Sequence, residues 1–159
     1  MSPLDLAAIV EQTKIAFGRE VGSVPPMSLR AGNAADNYEI QPAYSSTEDL
    51  MSDAYLEQHY WGIAHLDPES FKHYMPALVE YSLRSIEHGS NVVDTLLFNL
   101  RPPDRDPPRL GAFSLEQEAV LVRFLDAMAF SENSAFQEEA SLALEEWWAP
   151  GARYRSTEK

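Results

Sequence analysis

The sequence predicts an all-α fold, a compact bundle of five to six helices forming a single domain over residues 1–159. Three observations predict it. Helix-start signals recur along the chain, apolar residues follow them at helical spacing, and no stretch alternates apolar and polar residues as a half-buried strand does. The composition permits a core, because 45% of the residues are hydrophobic and 11% aromatic. A chain of this length buries roughly two thirds of its unfolded surface on folding.

Each element has its own signal. Ser2-Pro3-Leu4-Asp5 offers a serine N-cap, a proline at the first helical position and an acid in the first turn. Leu6, Ile9, Val10 and Phe17 continue that helix, and Gly18 is placed to stop it. Residues 19–44 hold Gly22, Pro25, Pro26, Gly32, Asn33 and Pro42 without sustained periodicity. They read as a long irregular segment pinned to the core by Val24, Met27, Leu29 and Ile40. Ser45 and Ser46 before Thr47-Glu48-Asp49 form a second cap region and open a helix over about 47–60. Asp67-Pro68-Glu69 repeats the cap, proline and acid pattern. Phe71, Met75, Leu78, Ser82 and Ile86 then form one stripe, kinked at Pro76, with Gly89 as the closing cap.

Residues 91–100 are short and apolar, and Asp94 with the helical neighbours favours helix over strand. Four prolines in residues 101–109 forbid a helix there and favour an extended, rigid link. Ser114-Leu115-Glu116-Gln117 is a capping box, and the helix it opens is apolar around much of its circumference up to Phe130. Ser134 to Gln137 reads as another capping box, followed by an inward stripe of Phe136, Ala140, Ala143, Leu144 and Trp147. Pro150-Gly151 ends that helix, and residues 151–159 read as a frayed tail.

Three elements in the middle of the chain resemble a known family. Leu66-Asp67-Pro68-Glu69, Phe71, Tyr74 and Met75-Pro76-Ala77 resemble an L-[ST]-P-E-x-F-x-x-Y-L-P-A element. Val92 to Leu100 with Pro102 resemble D-x-L-x-[FY]-x-L-x-P. Arg109 to Phe113, Ser114 to Gln117, Ala119-Val120 and Phe124-Leu125 resemble R-[FL]-x-x-[FL]-[ST]-x-x-Q-x-x-A-V-x-x-F-L. Together they are similar to a family of small bacterial proteins known only as a domain of unknown function. Asp67 stands where the family usually has Ser or Thr, which keeps the capping role, and Met75 replaces a leucine, a tolerated core swap. The resemblance implies a helical fold and a bacterial, cytoplasmic source. It carries over no catalytic residue.

Charge narrows the functional classes. Lys and Arg total 12 and Asp and Glu 25, a formal net charge of −13 and a pI near 4.6. That balance argues against nucleic acid and anionic membrane surfaces, both of which need clustered Lys and Arg. No apolar run approaches the ~20 residues of a membrane helix, and residues 1–18 lack the basic start of a secretory signal. With no cysteine there is no disulfide, thiolate ligand or thiol nucleophile, which agrees with a cytoplasmic setting.

Catalytic motifs are missing from the sequence. No G-x-S-x-G, P-loop or G-x-G-x-x-G occurs. No two of His59, His65, His73 and His88 have the spacing of a zinc helix, and no cofactor is expected. Glu69 and His73, four apart on one helix face, are the best candidates for an acid–base or metal site, and their simplest reading is a solvated surface pair.

The negative charge is uneven. It gathers on residues 45–64, through Glu48, Asp49, Asp53 and Glu57, and on residues 114–149, while residues 91–113 are neutral. A solvated face explains this, and so does an acidic surface that receives a basic partner. The leading expectation is a non-enzymatic, acidic interaction protein, in concrete form an immunity-type or antitoxin-type protein that masks a basic toxin or enzyme. Its expected contacts are Asp49, Asp53, Glu57, Glu138, Glu139, Glu145, Glu146 and Trp148. Adjacent helix residues point about 100° apart, so Trp147 is expected in the core stripe and Trp148 as a core-edge residue or an exposed anchor. The alternatives are a small hydrolase-like enzyme with a carboxylate–histidine site and a self-associating helical protein.

Overall fold

The computed structural model describes residues 3–155. The Ser2 cap and the last residues of the tail lie outside the described residues. The chain is all-helical, with α1 (Pro3–Ala16), α2 (Gly18–Val21), α3 (Leu29–Asp36), α4 (Asp53–His59), α5 (Pro68–Arg84), α6 (Asn91–Asn99), α7 (Leu115–Phe130) and α8 (Gln137–Ala143). Short 3₁₀ turns occupy Tyr60–His65 and Leu110–Ala112, and a π-turn occupies Leu144–Trp148.

Helix α5 is the central rod. Its start is as the sequence predicts: Asp67 is the N-cap, its carboxylate accepts the Ser70 amide, and Pro68 follows at the first position. Ten of its residues are buried, Pro76 among them. Helix α7 opens with a complete capping box, Ser114 accepting the Gln117 amide while the Gln117 side chain accepts the Ser114 amide. The same Gln117 side chain donates to the Ala16 carbonyl at 3.1 Å and so ties α7 to the end of α1. Residues 91–99 are helical as expected, with Ser90 as the cap.

The core centres on Phe113. Its ring meets Phe17 edge-on at 5.9 Å, Phe71 at 6.0 Å and Trp148 at 5.8 Å. Phe17, Phe71 and Phe113 thereby join α1, α5 and the start of α7 through one aromatic hub. Several residues that carry the family resemblance are structural here. Arg109 is buried at 4% exposure and donates to the carbonyls of Ile63 and Leu66 and to Asn99 Oδ1.

Several expectations need correction. Residues 19–44 are not irregular throughout, because α3 runs through Gly32. Gly32 sits in that helix for close approach: a Cβ there would lie 2.6 Å from the Gly62 carbonyl oxygen, and one on Gly62 would lie 2.3 Å from the Leu29 carbonyl oxygen. Two glycines let the α3 backbone press on the 60–65 turn. Met27 and Leu29 do pack inward, but Val24 and Ile40 face solvent and pin nothing. The next helix starts at Asp53, capped by Ser52 rather than by Ser45 or Ser46. Gly89 does not close α5, which ends at Arg84 with Ser85 as the cap.

The 101–109 link is not an extended connector. It folds back around Asp104, whose carboxylate accepts the amides of Arg105, Arg109, Leu110 and Gly111. Its Pro102–Pro103 and Asp106–Pro107 peptide bonds are cis.

The last correction reverses the two tryptophans. Ser134 does not cap α8: its hydroxyl accepts the Phe136 amide and donates to the Met128 carbonyl, and the residue at the cap position is Phe136. The Leu144–Trp148 π-turn then inserts one extra residue per turn. The inward position after Ala143 and Leu144 therefore falls on Trp148. Trp148 is 4% exposed and its indole donates to the Leu100 carbonyl at 2.7 Å, while Trp147 is only half-buried beneath Arg155.

Candidate interaction surface

Between α3 and α4 the chain leaves the bundle as an arm, residues 37–52. Helix α3 ends in a Schellman arrangement: the Glu39 amide bonds the Ala34 carbonyl and the Tyr38 amide bonds the Ala35 carbonyl. The left-handed position of this motif is normally glycine. Here it is Tyr38, at φ 58, the sole non-glycine residue with positive φ among the described residues. A non-glycine side chain in that region costs about 1–2 kcal/mol. The backbone of Tyr38 closes α3, but its side chain packs on nothing inside the protein and is 99% exposed. Ile40 is 95% exposed, and Leu50, Met51 and Tyr44 also face solvent. From Ile40 to Tyr44 no backbone group pairs with another backbone group among the described residues.

The arm is nevertheless firmly held at its base. Arg30 on α3 grips Asp49 bidentately, with Nε to Oδ1 and Nη2 to Oδ2 both at 3.1 Å, and Nη2 also reaches the Ala43 carbonyl. The Ser45 amide and the Tyr55 hydroxyl donate to Asp49 at 2.7 Å each. The Tyr55 hydroxyl in turn accepts the Arg30 amide, and the Tyr74 hydroxyl accepts the Leu29 amide. Burial would raise the Asp49 pKa, but Arg30, Ser45 and Tyr55 outweigh it and hold the carboxyl below its usual range. Burial and the neighbouring carboxylate push the Tyr55 hydroxyl strongly up, so it remains a donor. His59 lies beside this network, edge-on to Tyr55 at 4.9 Å. Its Nδ1 is buried without a hydrogen-bond partner among the described residues, and burial, reinforced by Arg30, lowers its pKa.

The acids expected at a partner surface divide into two sets. Asp49 is 4% exposed and serves the clamp, so it offers no surface. Asp53 is held by both terminal nitrogens of Arg84, and Glu57 accepts the Tyr81 hydroxyl at 2.8 Å. These three do not form one helical face, because Asp49 precedes α4. Glu146 is paired with Arg101 at 2.7 Å. Trp148 is a core residue and not an exposed anchor. Glu138 and Glu145 are exposed, and Glu139 lies close enough to Asp94 on α6 to help burial raise the Asp94 pKa.

What sequence reasoning missed is the arm itself. One signal was available: between Arg30 and Lys72 there are eight acidic residues and no lysine or arginine. Glu39 and the exposed Glu48 therefore flank the apolar tip without a cation beyond Arg30 to offset them.

Glu69 and His73 do not assemble a site. His73 Nδ1 donates to the Glu20 carbonyl at 2.9 Å, and its ring lies edge-on against Tyr74. Glu69 faces a shallow concavity with Arg19, Glu20, Ser23 and Lys72. Among the described residues no group of three or more His, Asp or Glu is arranged to hold a metal ion. No helix among them is long and apolar enough to cross a membrane.

Fold and surface place this chain among small all-α proteins built on a single aromatic-centred core. It belongs to the family of unknown function DUF6714, whose model matches residues 5–152. No curated protein and no solved structure matches the chain.

Proposed function

We propose that this protein is a non-catalytic interaction module that docks a basic protein partner through the 37–52 arm. The observation that carries the reading is Tyr38, an aromatic side chain held in a strained backbone conformation and left almost wholly in water. Strained residues cluster at functional sites, and here the backbone also closes α3 while the aromatic side chain is left outward. Tyrosine is a frequent hot-spot residue, because it adds large contact area at low conformational cost. Ile40, Tyr44, Leu50 and Met51 would supply the apolar centre of the contact, and Glu39 and Glu48 its acidic rim. Apart from the Ala43 carbonyl held by Arg30, the 40–44 backbone pairs with no other backbone group among the described residues and adds main-chain groups for a partner strand, with Pro42 limiting the length of any ladder. The Arg30–Asp49 clamp keeps the arm pre-organised, which reduces the ordering cost of association.

The charge fits a basic partner. A net −13 steers a cationic protein and raises its on-rate at low salt. Masking of a basic toxin or enzyme, in the manner of an immunity protein or antitoxin, is the concrete form of this function. Glu138, Glu139 and Glu145 widen the field from a second side.

The test is comparative capture from cells of the source organism, using wild type and a Tyr38→Gly/Ile40→Ser variant at two salt concentrations. A basic protein retained by wild type at low salt, released at high salt and missed by the variant is the expected result. Equal capture by both chains would refute the arm as the docking surface.

A further inference from the structure

The 99–110 region forms a concavity of about 340 Å³, lined by Phe98, Asn99, Arg101, Arg105, Arg109 and Asp104 among others. Its charge runs against the net charge of the molecule. Three arginines face one aspartate here, in a chain of net charge −13. By contrast, the hollow beside Ile86 and Phe130 carries Glu87 and Glu132, and the one beside Tyr60 carries Glu57.

The partners of these charges matter more than their number. Arg101 is neutralised by Glu146. Asp104 is turned onto four backbone amides, so its carboxylate is spent on shaping the loop. Arg109 is buried, yet its guanidinium contacts no carboxylate among the described residues: it donates to two carbonyls and the Asn99 amide oxygen, and stacks over Phe71 at 4.3 Å. Burying a cation without an anion is costly even where its protons are hydrogen-bonded, so the site favours an added negative charge. Burial, then the nearby Arg105, brings the Arg109 pKa down to about 10, opposed by Asp104 and Asp67. The Arg105 side chain donates to the Ala64 carbonyl, pairs with no carboxylate among the described residues, and is exposed at the mouth. Beside it Phe98 is 71% exposed, on a helix whose other apolar residues are buried.

We propose that this concavity is a binding site for a small organic anion carrying a carboxylate or phosphate group. The anionic head would lie between Arg105 and the Arg109 guanidinium, and an apolar or aromatic body would rest on Phe98 and Pro102–Pro103. The volume sits at the small end of ligand pockets, which suits a single-ring or short-chain ligand. Arginine suits such an anion because its planar fork meets carboxylate and phosphate oxygens with paired hydrogen bonds. This site is separate from the arm and does not depend on the docking function.

Calorimetric titration at fixed ionic strength tests it, with inorganic phosphate and benzoate as probes. The variants are Arg105→Gln and Phe98→Ala, both at exposed positions that leave the core in place. Saturable binding of either probe, weakened at least tenfold by R105Q, is expected. Phosphate binding unaffected by F98A with benzoate binding reduced would place the head and body as described. A saturable shift of the Asn99 side-chain amide in the wild-type NMR spectrum gives a reading independent of any variant. No saturable binding of either probe, or binding that R105Q leaves unchanged, would overturn the proposal.

Discussion

At the scale of single residues, Tyr38 and His59 make opposite demands on the protein. Tyr38 holds a left-handed backbone that glycine would adopt freely. Tyr38→Gly should therefore leave the fold as stable or raise its unfolding free energy by up to about 1 kcal/mol, while weakening partner capture. Chemical denaturation checks the first half. A destabilised Y38G would mean that the side chain supports the fold. His59 titrates in the opposite sense to a salt-bridged histidine. Its folded pKa lies below the ordinary 6.5, so the native state takes up a proton less readily than the unfolded chain. Its contribution is complete above that value and declines as pH falls toward the lower folded pKa. Arg30 facing the ring lowers the pKa further, and Asp49 opposes that. Asp94 and Asp126, raised by burial, gain stability as they protonate in more acidic solution. Urea midpoints between pH 7.5 and 5.5 should thus fall more in wild type than in His59→Gln. Parallel pH profiles would remove His59 from the account.

At the scale of elements, local signals were legible and tertiary ones were not. Asp67 and Ser114 were readable as caps because a cap needs only its own side chain and an amide three residues on. Helix α3 was not, because its Gly32 looks like a breaker until Gly62 is known to lie against it. The choice between Ser45 and Ser52 as the next cap depended on Asp49, whose partner Arg30 is 19 residues away. The Trp147–Trp148 order turned on a π-turn, which shifts register by one residue and has no sequence signature of its own. The candidate arm was invisible for a related reason: Ile40 reads as a core residue, since apolar side chains are usually buried. The glycine contact gives a direct test. Gly62→Ala would force backbone apart at Leu29 and Asn33, where a Cβ comes within 2.3 and 2.6 Å. It should lower stability by about 1–3 kcal/mol or more, read from the denaturation midpoint. Gly89→Ala, with nothing within 4 Å, should change little.

At the scale of the whole molecule, the fold and the surface have different sources. The aromatic hub at Phe113 and the buried Arg109 explain why the family-like elements hold caps, prolines and apolar stripes: they build the bundle. The uneven charge belongs to the surface, and four of the seven acids expected to receive a partner are engaged within the chain. Beside the exposed Glu138 and Glu145 stands the apolar-tipped arm with its acidic flanks, set on a clamp that fixes its direction. Placing a photo-crosslinking residue at Ile40 in living source cells, with a matched one at the exposed Ile15 of α1, tests this most directly. The account predicts a discrete adduct with a basic protein from position 40 and none from position 15. The same adducts from both positions, or none from position 40, would contradict it.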